Sequence, residues 1–220
     1  MQAYMKSEMP YLGVQAVPLR QALKPVFAAR APASFEEWRE TMLALWRDAR
    51  YREERYAAIE LAGHRACRDF QTLEALPVYE EMIVTGAWWD LVDSLASHRI
   101  GALLRRYPDE MKPILLAWAE CDDLWKRRTA ILAQLGFKRE TDRDLLYECI
   151  RPSLGRPEFF LRKGIGWALR EYAKTDLREV LRYVRLHEAR LSPLSRREAL
   201  KHVQAASRTT RRGASSRYRS

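Results

Sequence analysis

The sequence holds 220 residues, 47% of them apolar, with 39 Lys and Arg against 29 Asp and Glu and a formal net charge of +10. That apolar content excludes a disordered chain, and the nine glycines form neither a G-x-G-x-x-G nor a P-loop. No apolar run approaches the roughly 18 residues of a membrane span, and MQAYMKSEMPYLG at the start lacks the apolar stretch of a secretory signal. The expected compartment is therefore the reducing cytoplasm.

In chain order, residues 35–46 (FEEWRETMLALW) put Phe35, Trp38, Met42, Leu45 and Trp46 on one stripe of helical period. The same pattern predicts helices over 51–62, 71–84, 88–106, 109–119, 123–135, 142–150, 158–173, 176–186 and 193–204. Breaks fall at Pro32, Pro108, Gly136, between Pro152 and Pro157, and from Leu191 to Pro193. Ser34, Asp109, Asp123, Asp142 and Ser192 stand where N-caps are expected. No strand pair interrupts this pattern, so the fold class is all-α, roughly ten or eleven helices with short loops. One domain over 1–204 is expected. Residues 205–220 follow it, a tail with five Arg and no acid that reads as disordered and basic.

Helix openings at Tyr51, Trp88, Trp125, Phe160 and Leu194 lie 37, 37, 35 and 34 residues apart. A two-helix unit at that period predicts a curved α-α superhelix, a HEAT-like repeat solenoid with a concave basic groove. The competing reading is a globular bundle with accidental spacing. Arg128, Lys163 and Arg197, 35 and 34 residues apart, should then form a basic ladder that tracks phosphates. The plainer alternative is a solvated charged face.

Asp93 stands 35 residues before Arg128, a carboxylate in a slot that otherwise carries cations. Trp89 is one helical turn before it, and Trp167 is four residues after Lys163. Cleavage of an N-glycosidic bond builds positive charge on the sugar. A fixed carboxylate stabilises that charge, and indole faces attract cations. The alternative is that the tryptophans are core and Asp93 pairs with a nearby Arg. Cys67, Cys121 and Cys149 form no C-x-x-C pair, and His64, His98, His187 and His202 are scattered. Neither a metal nor a cofactor is expected.

Long segments resemble the AlkD family of bacterial DNA alkylation-repair glycosylases. They are YMKSEMPYLGVQ (4–15), VTGAWWDLVDS (84–94), DDLWKRRTAIL (122–132), EFFLRKGIGWALREYAKT (158–175) and LSPLSRREALKH (191–202). The resemblance runs from about Tyr4 to Val203. It implies a HEAT-like solenoid that holds duplex DNA and excises cationic alkylpurines such as 3-methyladenine and 7-methylguanine. It places the active-site aspartate on Asp93, the groove tryptophans on Trp89 and Trp167, a DNA-contacting arginine on Arg128 and a site-lining tyrosine on Tyr4. It further implies attack by water with no covalent intermediate, and a base left stacked rather than extruded. Family members carry roughly one more helix before the YMK segment. A late assigned start or an absent first helix is therefore expected; with the helix absent, Tyr4 would sit on a fraying end.

Two other readings come from different classes. One is a catalytically silent HEAT-like protein that binds DNA structures, which should lack the carboxylate or a tryptophan. The other is a protein-binding scaffold, which should lack the cationic ladder. Asp93, Trp89 and Trp167 favour the enzyme. A monomer is the simplest expectation.

Overall fold

The computed structural model describes residues 2–201. The Arg-rich tail 205–220, His202 and the end of the helix expected over 193–204 lie outside the described residues. The described residues form helices and turns, with no strand among them. They pack as two compact units, Met1–Met111 and Lys112–Ser220.

The first unit contains α1 (Gln2–Met5), α2 (Ala16–Ala29), α3 (Phe35–Arg47) and α4 (Arg52–Ala62). Two 3-10 turns, Arg65–Phe70 and Leu73–Ala75, lead into α5 (Leu76–Gly86). A continuous helical rod follows: α6 (Trp89–Ser94), a π-helical stretch Leu95–Ile100, and α7 (Gly101–Arg106). In α3 the Ser34 hydroxyl accepts from the Glu37 amide at 3.1 Å, and the Glu37 carboxylate accepts from the Ala33 amide at 2.7 Å. These bonds satisfy amides that helix geometry leaves open at the N-terminus. The expected stripe buries Trp38, Met42 and Trp46. Trp38 meets Phe35, Phe70 and Tyr79 at ring centroid distances of 5.4, 6.3 and 6.0 Å. The Trp46 indole donates to the Thr85 hydroxyl at 2.8 Å. A Cβ at Gly86 would lie 2.8 Å from that indole, so only glycine lets α5 close on α3.

Three expectations need correcting in this unit. The helix expected over 71–84 begins late, because Leu73–Ala75 winds as a 3-10 turn and Pro77 opens the α-helical part. The rod from 88 to 106 contains a π-helical stretch that periodicity does not reveal. Finally, α2 is a helix that no pattern predicts. It carries Pro25 inside and buries Phe27 alone, and Arg20 on it pairs with Glu60 of α4 at 2.7 Å.

Helix α8 (Pro108–Glu120) spans the boundary between the units. Pro108 is its first residue, so Asp109 lies inside the helix and is not its N-cap. Proline suits that position because its missing N–H has no intrahelical acceptor there.

The second unit holds α9 (Leu124–Leu132), α10 (Arg143–Ile150), α11 (Phe159–Ala173), α12 (Leu177–Leu186) and α13 (Pro193–Ala199), with 3-10 turns at Lys138–Glu140 and Arg151–Ser153. Three expected caps are made. The Asp123 carboxylate accepts from the Lys126 amide at 2.8 Å, Asp142 from Leu145 at 3.0 Å, and the Ser192 hydroxyl from Ser195 at 3.0 Å. The helix expected over 123–135 ends at Leu132, where the chain turns toward Gly136 at φ +80. Helices α11 and α13 pack closely enough that a Cβ on Gly166 would lie 2.9 Å from the Ser195 carbonyl oxygen and 2.6 Å from the Glu198 Cβ.

Candidate functional site

In the first unit, the WWD sequence opens α6, with Trp88 as N-cap. Trp89 and Asp90 line a cavity of about 430 Å³ together with Tyr11, Glu53 and Tyr56. Asp93, one turn further, is only 8% exposed and is not among the lining residues. The Ser97 hydroxyl donates to its carbonyl oxygen at 2.7 Å. Asp93 is thus a carboxylate held mostly away from water in the first turns of a continuous rod.

Asp90 is fixed by partners from α4. The Arg52 guanidinium donates to it at 2.5 Å from Nη2 and 3.2 Å from Nε. The Tyr56 hydroxyl donates to the same carboxylate and lies 3.3 Å from the Tyr11 hydroxyl. Side chains of Arg52 and Asp90 are 6% and 9% exposed, so this is a buried ion pair. Burial pulls the Arg52 pKa down, but the hydrogen bonds and charge of Asp90 outweigh it and leave the guanidinium raised. Burial and the Asp90 hydrogen bond push the Tyr56 phenol well above its ordinary value.

Glu53 is 2% exposed and lines the same cavity as Asp90. Its carboxylate accepts from the amides of Leu12, Gly13 and Val14 at 3.0, 2.9 and 3.1 Å. The Arg52 amide donates to the Pro10 carbonyl at 2.9 Å. One end of α4 therefore holds segment 10–14 and, through Asp90, the start of α6. Tyr4 on α1 is 78% exposed.

The expected ladder lies in the second unit, and its members are not three equivalent solvent-facing cations. Arg128 on α9 is 4% exposed. Its guanidinium donates to the Phe160 carbonyl and lies 5.9 Å from that ring's centroid. A Cβ on Gly164 would come within 3.2 Å of it, so glycine makes room for the guanidinium. Lys163 on α11 pairs with Glu198 at 2.9 Å, and Arg170 shares that carboxylate at 2.8 Å. The Lys163 hydrogen bond leads the effects that hold the Glu198 carboxyl below its ordinary value. Arg197 on α13 is exposed, and Trp167 is half-buried on α11. Their surroundings differ because α11 packs on both α9 and α13. Among the described residues no cluster of three or more His, Cys, Asp or Glu could hold a metal. No described helix is long and apolar enough to cross a membrane.

The family model described as DNA alkylation repair enzyme matches residues 1–203. The chain belongs to this family. A solved structure described as a predicted DNA alkylation repair enzyme from Enterococcus faecalis is similar to it at 31% identity, with a TM-score of 0.81 over 91% of this chain and 92% of that one. No curated protein matches. The sequence reading names Asp93 and Trp89 but not Glu53, Tyr56 and Asp90, which line the cavity with Trp89, or Arg52, which holds Asp90. Arg52 and Asp90 are 38 residues apart, close to the repeat period, and that spacing is the signal that could have found them.

Proposed function

We propose that the chain is a monofunctional glycosylase that hydrolyses the N-glycosidic bond of cationic alkylated purines in duplex DNA, 3-methyladenine and 7-methylguanine among them. The observation that carries this reading is Asp93, a carboxylate 8% exposed and one turn beyond Trp89, in a chain of the alkylation repair family.

The chemistry asks little of the protein. The bond from C1′ to the purine nitrogen breaks, and its electron pair neutralises the cationic base, which leaves uncharged. The sugar becomes oxocarbenium-like, and the Asp93 carboxylate stabilises that charge and orients a water. Water adds to C1′ and its proton passes to the carboxylate or solvent, leaving an abasic site and an intact strand. Near-exclusion of water around Asp93 strengthens its field, since charges interact more strongly where the dielectric is low. Trp89 presents its indole face to the cationic centre. Arg128, Lys163 and Arg197 serve the phosphate backbone, Arg128 in an orientation set by the Phe160 carbonyl, and Tyr4 lines the site. The base stays stacked, and a monomer works without metal or cofactor.

Asp93→Asn is the direct test. The variant should lose 7-methylguanine release and keep duplex affinity equal or tighter, because an anion near phosphates is removed. Much weaker duplex binding by Asp93→Asn would make Asp93 a structural residue and refute the assignment.

A further inference from the structure

A second cavity in the first unit has the opposite electrostatic character. Its volume is about 580 Å³, and Lys6, Arg50, Arg52, Arg55 and Trp88 line it. Exposed Glu8 is the one carboxylate in its wall. Arg52 is already neutralised by Asp90. Lys6, Arg50 and Arg55 make no ion pair among the described residues, so the wall keeps an excess of positive charge.

Arg55 is held in place at some cost. Its guanidinium lies 4.8 Å from the Trp46 ring centroid and donates to the Thr85 carbonyl at 3.3 Å. Its Nε is buried with no hydrogen-bond partner among the described residues. Burial, then the charge of Arg52, lower its pKa. Two cations held together, with one guanidinium incompletely bonded, favour an anion that would repay both penalties. The backbone around the cavity is unusual too. Lys6 at φ 50 and Ala87 at φ 39 both line it, in a region that side chains rarely adopt.

We infer that this cavity is a phosphate site, in which Lys6, Arg50 and Arg55 take one phosphate group. Two sources supply that chemistry, a phosphodiester of duplex DNA and free inorganic phosphate. The first rests on the duplex-binding reading above; the second does not. Guanidinium and ammonium groups suit phosphate oxygens because each bond is charge-assisted. If the source is DNA, the protein grips the backbone through the first unit as well as through Arg128, Lys163 and Arg197.

The test uses the full chain and the double variant Lys6→Gln/Arg50→Gln. Both side chains are exposed, and Arg55 stays in place against Trp46. Arg39→Gln, exposed and outside the cavity, is the control. Lys6→Arg/Arg50→Lys keeps the charge and should behave as wild type. One arm measures duplex affinity against salt concentration. The double variant should lower the slope of log affinity against log salt by about 0.9, the release expected for one phosphate contact, with Arg39→Gln unchanged. The other arm titrates inorganic phosphate at fixed ionic strength and reads tryptophan fluorescence, to which Trp88 in the cavity wall contributes. Wild type should saturate and the double variant should not respond. A phosphate response with an unchanged slope supports the anion site and overturns DNA as its occupant. No response in either arm overturns the inference. Failure of wild type to bind duplex would refute the glycosylase reading, while the phosphate arm still decides this one.

Discussion

Glu53→Gln tests whether one buried carboxylate holds segment 10–14 over the cavity beside Trp89. Glu53 accepts three backbone amides at 2.9 to 3.1 Å. Glutamine offers one carbonyl oxygen. Its best placement keeps the bonds to Gly13 and Val14 and turns an NH2 group toward the Leu12 amide. An orphaned amide costs about 1–3 kcal/mol, and exchanging a charged acceptor for a neutral one weakens each remaining bond by about 1 kcal/mol. Leu12 is 57% exposed and Val14 40%, so water reaches part of the segment. The expected loss is therefore near the low end, about 3 kcal/mol, or roughly 150-fold in the opening equilibrium. Urea denaturation reads the global part, and amide hydrogen exchange at residues 12–14 reads the local part. A variant within about 0.5 kcal/mol of wild type, with unchanged exchange at 12–14, would refute the argument that Glu53 fastens this segment.

Three further outcomes are expected. Asp90→Asn leaves the Arg52 guanidinium buried without its counter-ion and should destabilise the protein by about 3–5 kcal/mol, measured by urea denaturation; a loss under about 1 kcal/mol would mean that water reaches the pair. Gly166→Ala drives a Cβ into the Ser195 carbonyl and Glu198 and should cost about 1–3 kcal/mol by overpacking, whereas an unchanged urea midpoint would show that α13 can shift. The Glu179 carboxyl is drawn down to about 2 from 4.5, chiefly by hydrogen bonds from Arg182, against burial, with the Tyr147 hydroxyl adding. Its contribution is present above pH 4.5 and is lost as pH falls toward 2, so wild type should lose more stability than Glu179→Gln across that window, and parallel pH profiles would contradict the assignment.

Helices with a full apolar stripe, such as Phe35–Arg47 and Phe159–Ala173, are legible because burial of one face imposes a 3.6-residue period. Caps at Ser34, Asp123, Asp142 and Ser192 are legible because one side-chain oxygen and a nearby amide suffice. Ala16–Ala29 is not, since it buries Phe27 alone and carries Pro25 inside, so pairing with α4 rather than its own pattern sustains it. The π-helical stretch after Asp93 leaves no compositional mark, as its extra residue per turn is set by packing. Trp89 and Asp93 share one helix, so their placement one turn apart is legible from spacing. The network of Tyr11, Arg52, Tyr56 and Asp90 joins residues 34 to 45 positions apart, and only folding brings them together. Burial of Arg128 escapes sequence reasoning for a related reason: Gly164, on a different helix, makes the space that receives it.

The most direct test of the account is to incubate methylated duplex DNA with the purified wild-type chain and assay both the released base and the strand. Wild type should yield free 7-methylguanine and abasic sites, with no strand cleavage until alkali is added. Tight binding of the duplex with no release of base would contradict it and identify a silent DNA-binding protein instead.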